Sequence, residues 1–258
     1  MLKGLYTAYT GLANEQNRMD VMTNNLANAT TVGFKKEGTT SQSFDSILAY
    51  KLKDVSVGLG RAENIGVNTP GVKIGENYVD YTQGSYRVTD NTFDIAIEGD
   101  GFFAIEFTNK AGETSTKYTR AGAFTLDSQG YLVTNEGDYV LDTNSRRIQL
   151  NPLYDADIDA DGTINQNGTR VARIQITDFE DYNYLERYGE TYFQPLEGAK
   201  TTTASAKVHS GCLEMANVQV VSEMVNMIAI TRQYESNQKI MQTYDRTLDI
   251  AVNELGKV

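Results

Sequence analysis

The sequence predicts an α+β protein, an antiparallel all-β central domain carried between two terminal helices of heptad pattern that pack together in a polymer. Three observations predict it. Apolar residues recur every seven near both ends, they alternate at a period of two in the middle, and glycine–aspartate turns punctuate the middle.

At the N-terminal end, Leu5, Leu12, Met19 and Leu26 recur every seven residues, with Ala8 and Met22 three residues after two of them. This spacing predicts a helix over most of 5–29. Asn14, Asn17, Asn24 and Asn28 fall within an arc of roughly 80° on the side opposite Met19 and Leu26. Exposed helix faces usually carry Lys and Glu, whereas asparagine is a mediocre helix former whose amide both donates and accepts. An uncharged solvated face is one reading of this stripe. The sharper one is a face buried against other protein, with its amides hydrogen-bonded there. Thr30-Thr31-Val32-Gly33 then ends the helix, because β-branched residues followed by glycine favour leaving it.

Residues 36–79 contain scattered glycine and little clear period, and are expected to form an extended connector that pairs loosely as strands. From 80 to 211 the period is two. Phe93, Ile95 and Ile97 alternate with Asp94 and Glu98, and Ala172, Ile174 and Ile176 with Arg173, Gln175 and Thr177. Asp127 first and Gly130 last suit a type I turn joining Ala123–Leu126 to Tyr131–Thr134.

At the far end Met227, Tyr234, Met241, Leu248 and Leu255 recur every seven, and Ile230, Asn237, Tyr244 and Ala251 follow the first four by three. Continuous over 218–256, this helix would be about 58 Å long. Its start, from Val218 to Ile230, is apolar on nearly every side, so one partner helix could not cover it. The expected division is 1–35 with 212–258 as a helical domain, 36–79 as the connector and 80–211 as the β-rich domain. The two helices can pair parallel or antiparallel, but their surplus apolar and amide faces point to a polymer, because heterologous contacts that do not close generate an open filament.

Charge narrows the function classes. The net charge of -11 is concentrated in the middle, while the ends are near neutral. An acidic middle disfavours nucleic acid and anionic membranes, which need clustered Lys and Arg. No run approaches the roughly 20 apolar residues of a membrane-spanning helix, no secretory signal is legible at Met1-Leu2-Lys3-Gly4, and the single Cys212 forms no internal disulfide.

The chemical candidates are weak. Asp155, Asp157, Asp159 and Asp161 precede Gly162 like the start of a calcium loop, but with Asp157 as position 1 the bidentate glutamate position is Gly168. A polar turn accounts for them better. His209 beside Ser210 is expected in a solvated loop, and adjacency does not make a triad. Without tryptophan there is no sugar-stacking platform for a glycosidase carboxylate pair, and Gly99-Asp100-Gly101 has too few glycines for a nucleotide loop. No catalytic residue, metal or cofactor is expected. A β-domain adhesin on a coiled-coil stalk and a hydrolase are the readings from other classes.

Three separated blocks resemble the bacterial flagellar rod and hook axial family. Asn24-Asn25-Leu26-Ala27-Asn28, continuing to Gly33-Phe34-Lys35, is similar to its N-terminal motif, departing at Thr30. Ile95-Ala96-Ile97-Glu98-Gly99-Asp100-Gly101-Phe102-Phe103, with Tyr118-Thr119-Arg120, Gly122 and Phe124, resembles its central block. Gly211, Leu213-Glu214, Asn217-Val218, Val225-Asn226-Met227-Ile228, Arg232 and Tyr234-Glu235 resemble its C-terminal motif, with Cys212 and Ala216 departing or variable. The resemblance implies a structural subunit whose terminal helices line a hollow axial structure outside the cytoplasm, in the rod of the basal body. Its partners would be further copies of itself, other rod and hook proteins and the flagellar type III export apparatus. The long connector after Phe44 is similar to the distal-rod branch, with the proximal branch as alternative. The expected assembly residues are Leu5, Leu12, Asn14, Asn17, Met19, Asn24, Asn25, Leu26, Asn28, Val225, Met227, Ile228, Tyr234, Met241, Leu248 and Leu255.

Overall fold

The computed structural model describes residues 2–51, 63–204 and 206–253. Two compact units account for it, one built from Met1–Leu26, Glu37–Asp80 and Gln219–Val258, the other from Ala27–Lys36 and Tyr81–Val218. The chain therefore crosses between them after residues 26, 36, 80 and 218.

The first unit contains both long helices, α1 (Leu2–Ala27) and α2 (Val220–Asn253), which lie where the heptads predicted them. Between them in sequence run β1 (Glu37–Ser43), β2 (Ile47–Lys51), β3 (Glu63–Asn68) and β4 (Val72–Val79). These strands form nested antiparallel pairs, β1 with β4 from Glu37↔Val79 to Ser43↔Val72, and β2 with β3. The segment predicted as a loose connector thus has a fixed register and packs with the helices.

The α1–α2 pair is antiparallel. A Cβ placed on Gly4 would run into the Tyr244 ring, and one on Gly11 would come within 2.9 Å of the Asn237 amide nitrogen. Seven residues forward on α1 thus match seven backward on α2. Along α2 the buried and half-buried positions apart from Thr231, namely Glu223, Met227, Ile230, Tyr234, Asn237, Met241, Tyr244, Leu248 and Ala251, alternate by four and three. That is the spacing of a two-helix seam. The α1 side of the seam holds Leu5, Ala8, Leu12, Glu15, Met19, Met22 and Leu26, of which Ala8, Leu12 and Glu15 are buried.

The second unit is built of strands with a 3-10 turn at Tyr182–Tyr184. It comprises β5 (Tyr86–Val88), β6 (Ile95–Glu98), β7 (Phe102–Thr108), β8 (Thr114–Thr119), β9 (Phe124–Leu126), β10 (Leu132–Thr134), β11 (Tyr139–Val140) and β12 (Ala156–Ile158). After these come β13 (Thr163–Gln166), β14 (Thr169–Arg173), β15 (Ile176–Phe179), β16 (Leu185–Tyr188), β17 (Tyr192–Pro195), β18 (Thr201–Thr203), β19 (Lys207–Ser210) and β20 (Cys212–Glu214). The main antiparallel sheet runs β16-β17-β8-β7-β11-β10-β9, with β15 pairing β7 and β18. β12-β13-β14 form a small sheet, and β19 with β6 and β20 with β5 form two further pairs. Ile95, Ile97, Phe103, Phe124, Leu132 and Ile164 lie at the centre of the core, each at most 1% exposed.

Local chemistry explains the turns. Gly130 N donates to the Asp127 carbonyl at 2.8 Å, closing the predicted turn between β9 and β10. The acidic run lies on the β12–β13 hairpin: Asp157 is in β12, Asp161 Oδ1 accepts from Thr163 N at 3.1 Å and Asp159 from the Asn165 amide at 2.7 Å. His209 differs from the loop placement predicted for it. It lies in β19 with Nε2 2.8 Å from a Glu98 carboxylate oxygen, because β19 pairs with β6 and brings the two side chains together.

Candidate functional site

The first turns of α2 present the largest uncovered apolar surface on either helix. Val221 is 76% exposed, Val225 60%, Ile228 54% and Met224 50%. Val221, Val225 and Ile228 sit at i, i+4 and i+7, so they form one stripe with Met224 beside it, while Glu223, Met227 and Ile230 face inward. A helix apolar on two sides with only one side covered needs another partner to remove the second from water. Further along, Ile240, Ile250 and Val252 are also exposed.

Part of the asparagine face of α1 is covered by the chain's own strands. Asn25 is fully buried, its Nδ2 donating to the Glu37 carbonyl at 2.8 Å and its Oδ1 accepting from Glu37 N at 2.9 Å. Ser41 Oγ donates to Asn14 Oδ1 at 3.1 Å, and Thr7 Oγ1 to the Pro70 carbonyl at 3.1 Å. Thr10, Asn14 and Val21 are buried on the same side, Asn17 is half-buried and Asn24 exposed. Most of the predicted residues fall into three groups. Asn14 and Asn25 are held by β1 and the strands around it, and Leu5, Leu12, Met19, Leu26, Met227, Tyr234, Met241 and Leu248 are on the helix seam. Val225 and Ile228 are on the open stripe. Asn28 is buried in the β unit, accepting from Thr31 Oγ1 at 3.1 Å, and Leu255 lies outside the described residues.

The β unit holds a buried ion cluster to which the heptad and period-two patterns gave no clue. Lys35 Nζ lies 2.6 Å and Arg120 3.4 Å from the two carboxylate oxygens of Glu214, and all three side chains are nearly inaccessible to water. Each has further partners. Lys35 donates to the Thr82 carbonyl at 2.8 Å, Gly84 N to Glu214 Oε1 at 3.1 Å, and Arg120 to the Gly99 carbonyl at 2.8 Å while lying over the Phe102 ring. Burying three charges is tolerable only with this degree of pairing. Gly33 approaches the backbone of Arg120 and Ala121 so closely that no Cβ fits, and its φ of 69° suits glycine. Beside the cluster, Lys36 N donates to Asn217 Oδ1 at 2.7 Å and Asn217 Nδ2 to the Thr82 carbonyl at 3.1 Å. Three places where the chain enters or leaves this unit are thereby tied together. Lys35 and Arg120 stand 179 and 94 residues from Glu214, a separation at which no periodicity could pair them.

Three family models match the chain. Residues 5–35 match the flagella basal body rod protein model, 96–170 the D1 domain model of the flagellar hook protein FlgE/F/G, and 209–254 the C-terminal model of the flagellar basal body rod FlgEFG protein. The flagellar basal-body rod protein FlgG of Bacillus subtilis is 33% identical, with 98% of this chain and 99% of that protein covered. FlgF of Caulobacter vibrioides is also 33% identical, covering 97% and 98%. The chain belongs to the flagellar basal-body rod family. FlhO of Bacillus subtilis, a flagellar hook-basal body complex protein, is 32% identical over the full length of both.

Rod-family membership makes this a structural subunit of the flagellar basal body, and it gives the ion cluster a meaning. Lys35 comes from the first matched segment, Arg120 from the second and Glu214 from the third. The three stretches that carry the family likeness meet at one buried carboxylate.

Proposed function

We propose that the chain is a self-polymerising subunit of the distal rod, exported by the flagellar type III apparatus and assembled outside the cytoplasm with other rod and hook proteins. The α1–α2 pair lines the axial structure. The observation that carries this reading is the stripe Val221-Met224-Val225-Ile228, exposed on a helix whose other side is already in a seam. Neighbouring copies covering that stripe would remove several large apolar side chains from water, each contributing about 1.5–3 kcal/mol when fully buried. Non-closing contacts of that kind build a filament and not a ring. No catalytic role is part of the proposal, and Glu214 and Asp161 have structural duties.

The similarity to FlgG supports the distal assignment, as does the long segment after Phe44. The equal identity to a FlgF protein makes that branch the second reading. Locating a tagged copy in isolated basal bodies by electron microscopy decides between them. Label along the distal part of the rod is expected, and label confined to its base would overturn the distal assignment.

A further inference from the structure

Two of the chain passes that join the β unit to the helical unit run side by side. β6 pairs with β19 from Glu98↔Lys207 to Ile95↔Ser210, and β5 with β20 from Val88↔Cys212 to Tyr86↔Glu214. Between the two pairs Thr89 N donates to the Gly211 carbonyl at 2.8 Å, so they form one interrupted antiparallel ladder. Beyond β5 and β20 it continues, with Met215 N donating to the Ser85 carbonyl at 2.8 Å and the Asn217 amide to the Thr82 carbonyl and hydroxyl at 3.1 and 3.0 Å. Both passes leave the unit at this same end, next to residues 80 and 218.

An antiparallel pair held by one end has the geometry of a zipper. Its hydrogen bonds lie across the strands, so a pull that separates residues 80 and 218 strains them one after another from the mouth inward. Such a ladder resists little more than its mouth does. Behind the mouth Tyr86, Arg87 and Val88 are all exposed, so little apolar burial holds β5 in place.

The three buried charges stand at that mouth. Glu214 belongs to the rung Tyr86↔Glu214, and its carboxylate reaches the opposite pass by accepting from Gly84 N at 3.1 Å. Lys35 binds the same carboxylate at 2.6 Å and the Thr82 carbonyl at 2.8 Å, bridging the two passes, and Arg120 lies 3.4 Å from the second carboxylate oxygen. A third pass is drawn in, since Gly33 N donates to the Glu214 carbonyl at 2.8 Å and Lys36 N to Asn217 Oδ1 at 2.7 Å. Opening the mouth therefore breaks charge-assisted hydrogen bonds shielded from water, each roughly twice as strong as a neutral one, before it reaches the ordinary rungs. Stability alone does not account for this placement, because well-packed apolar residues often replace a buried ion cluster without loss. Apolar packing is non-directional, whereas these bonds lie across the mouth and oppose its opening.

We infer that the Lys35–Glu214–Arg120 cluster, with Asn217, is a mechanical lock that keeps the β unit from being unzipped when force reaches it through its connections to the helical unit. The source of that force is the rod reading above. The lock itself belongs to the single chain.

Optical tweezers on the full-length chain carrying Cys212→Ser test it. One form takes its handles at Asn77→Cys and Ser222→Cys, exposed positions just outside the two exits, and the other at Gln129→Cys and Thr169→Cys, exposed on two hairpins of the β unit. Asn217→Ala removes the bonds to Thr82 and Lys36, and Glu214→Gln keeps the shape of the side chain without its charge. With handles at 77 and 222, each should raise the rate of opening at fixed force about tenfold or more, the kinetic equivalent of one charge-assisted hydrogen bond. With handles at 129 and 169 the first bonds to break lie in other strands, and the rate should stay within about twofold. Asn217→Ala keeps the test decisive where Glu214→Gln does not fold. An unchanged rate with handles at 77 and 222 overturns the lock, and so does an equal rise in both geometries, which would mean a general loss of stability. A lock measured in a chain that is absent from basal bodies would overturn the rod reading alone.

Discussion

The side chain of Asn25 and the backbone of Glu37 exchange two hydrogen bonds, of 2.8 and 2.9 Å, in the manner of neighbouring β-strands. A helix residue thus adds a ladder-like partner at Glu37, which also pairs with Val79 of β4. Replacing Asn25 with leucine removes both of these hydrogen bonds, and a buried polar group that loses its partner costs about 1–3 kcal/mol. Asn25→Leu should therefore lower the melting temperature of the helical unit and expose β1 to protease. A variant as resistant as the parent would show that this pairing is incidental.

The same relationship marks where the sequence stopped being informative. The period of α1 and α2 survives in a single chain because a seam imposes it, and the asparagine arc was legible as a buried face for the reason that amides are poor substitutes for Lys and Glu in water. What buried it was not legible. β1 and β4 read Glu37-Gly38-Thr39-Thr40-Ser41 and Val72-Lys73-Ile74-Gly75-Glu76, with neither a clean alternation nor a hydrophobic run, because both are largely exposed or half-buried and β1 meets α1 through hydrogen bonds.

At the ion cluster, Glu214→Leu removes the one carboxylate between Lys35 and Arg120. Breaking a buried pair in this way costs about 3–5 kcal/mol, since the cations stay buried without their counter-charge. Denaturant unfolding of the β unit, followed by tyrosine fluorescence, should show the loss. Adding Lys35→Met should recover part of it, because the two changes share a partner. Strict additivity of the two would refute the cluster as an energetic unit.

Alkaline pH should unfold the β unit before the ordinary range for a strand domain is exceeded. Burial pushes the Tyr81 phenol up to about 12, and also raises Tyr182 and Tyr192, which donate to Asp178 and Asp138. In the unfolded chain these phenols titrate near about 10. Above that pH the unfolded state binds fewer protons than the folded one, so stability is complete below about 10 and falls as pH rises towards about 12. Phenolate absorbance and circular dichroism recorded together check this. Full ionisation of all tyrosines without loss of structure would contradict it.

On the helix seam, Gly11→Leu should separate the helices, for even a Cβ there meets the Asn237 amide. Overpacking of this kind costs about 1–3 kcal/mol. Asn237→Ala makes room on the facing helix and should restore most of it. The antiparallel register would be wrong if Asn237→Ala gave no rescue while substitution of a residue elsewhere on α2 did.

The two helices should behave differently before assembly. Isolated helices are marginal in water and owe their stability to packing of an apolar face. α1 is covered on two sides, by α2 and by the strands that take Asn14 and Asn25, whereas α2 has the seam alone and exposes Val221, Met224, Val225 and Ile228 to water. Amide exchange on the soluble chain should therefore be slowest in the β unit, intermediate in α1 and fastest in α2. Copies packing against the open stripe would then order α2, with the entropy cost of ordering offset only in the polymer. Ile228→Asp places a charge on that stripe and Met241→Asp places one in the seam. Both should leave exchange in the β unit unchanged while abolishing incorporation into basal bodies and, with it, motility. Slow exchange throughout α2 in a chain shown to be monomeric would mean that the helix needs no neighbours, and the stripe would lose its claim to be the assembly surface.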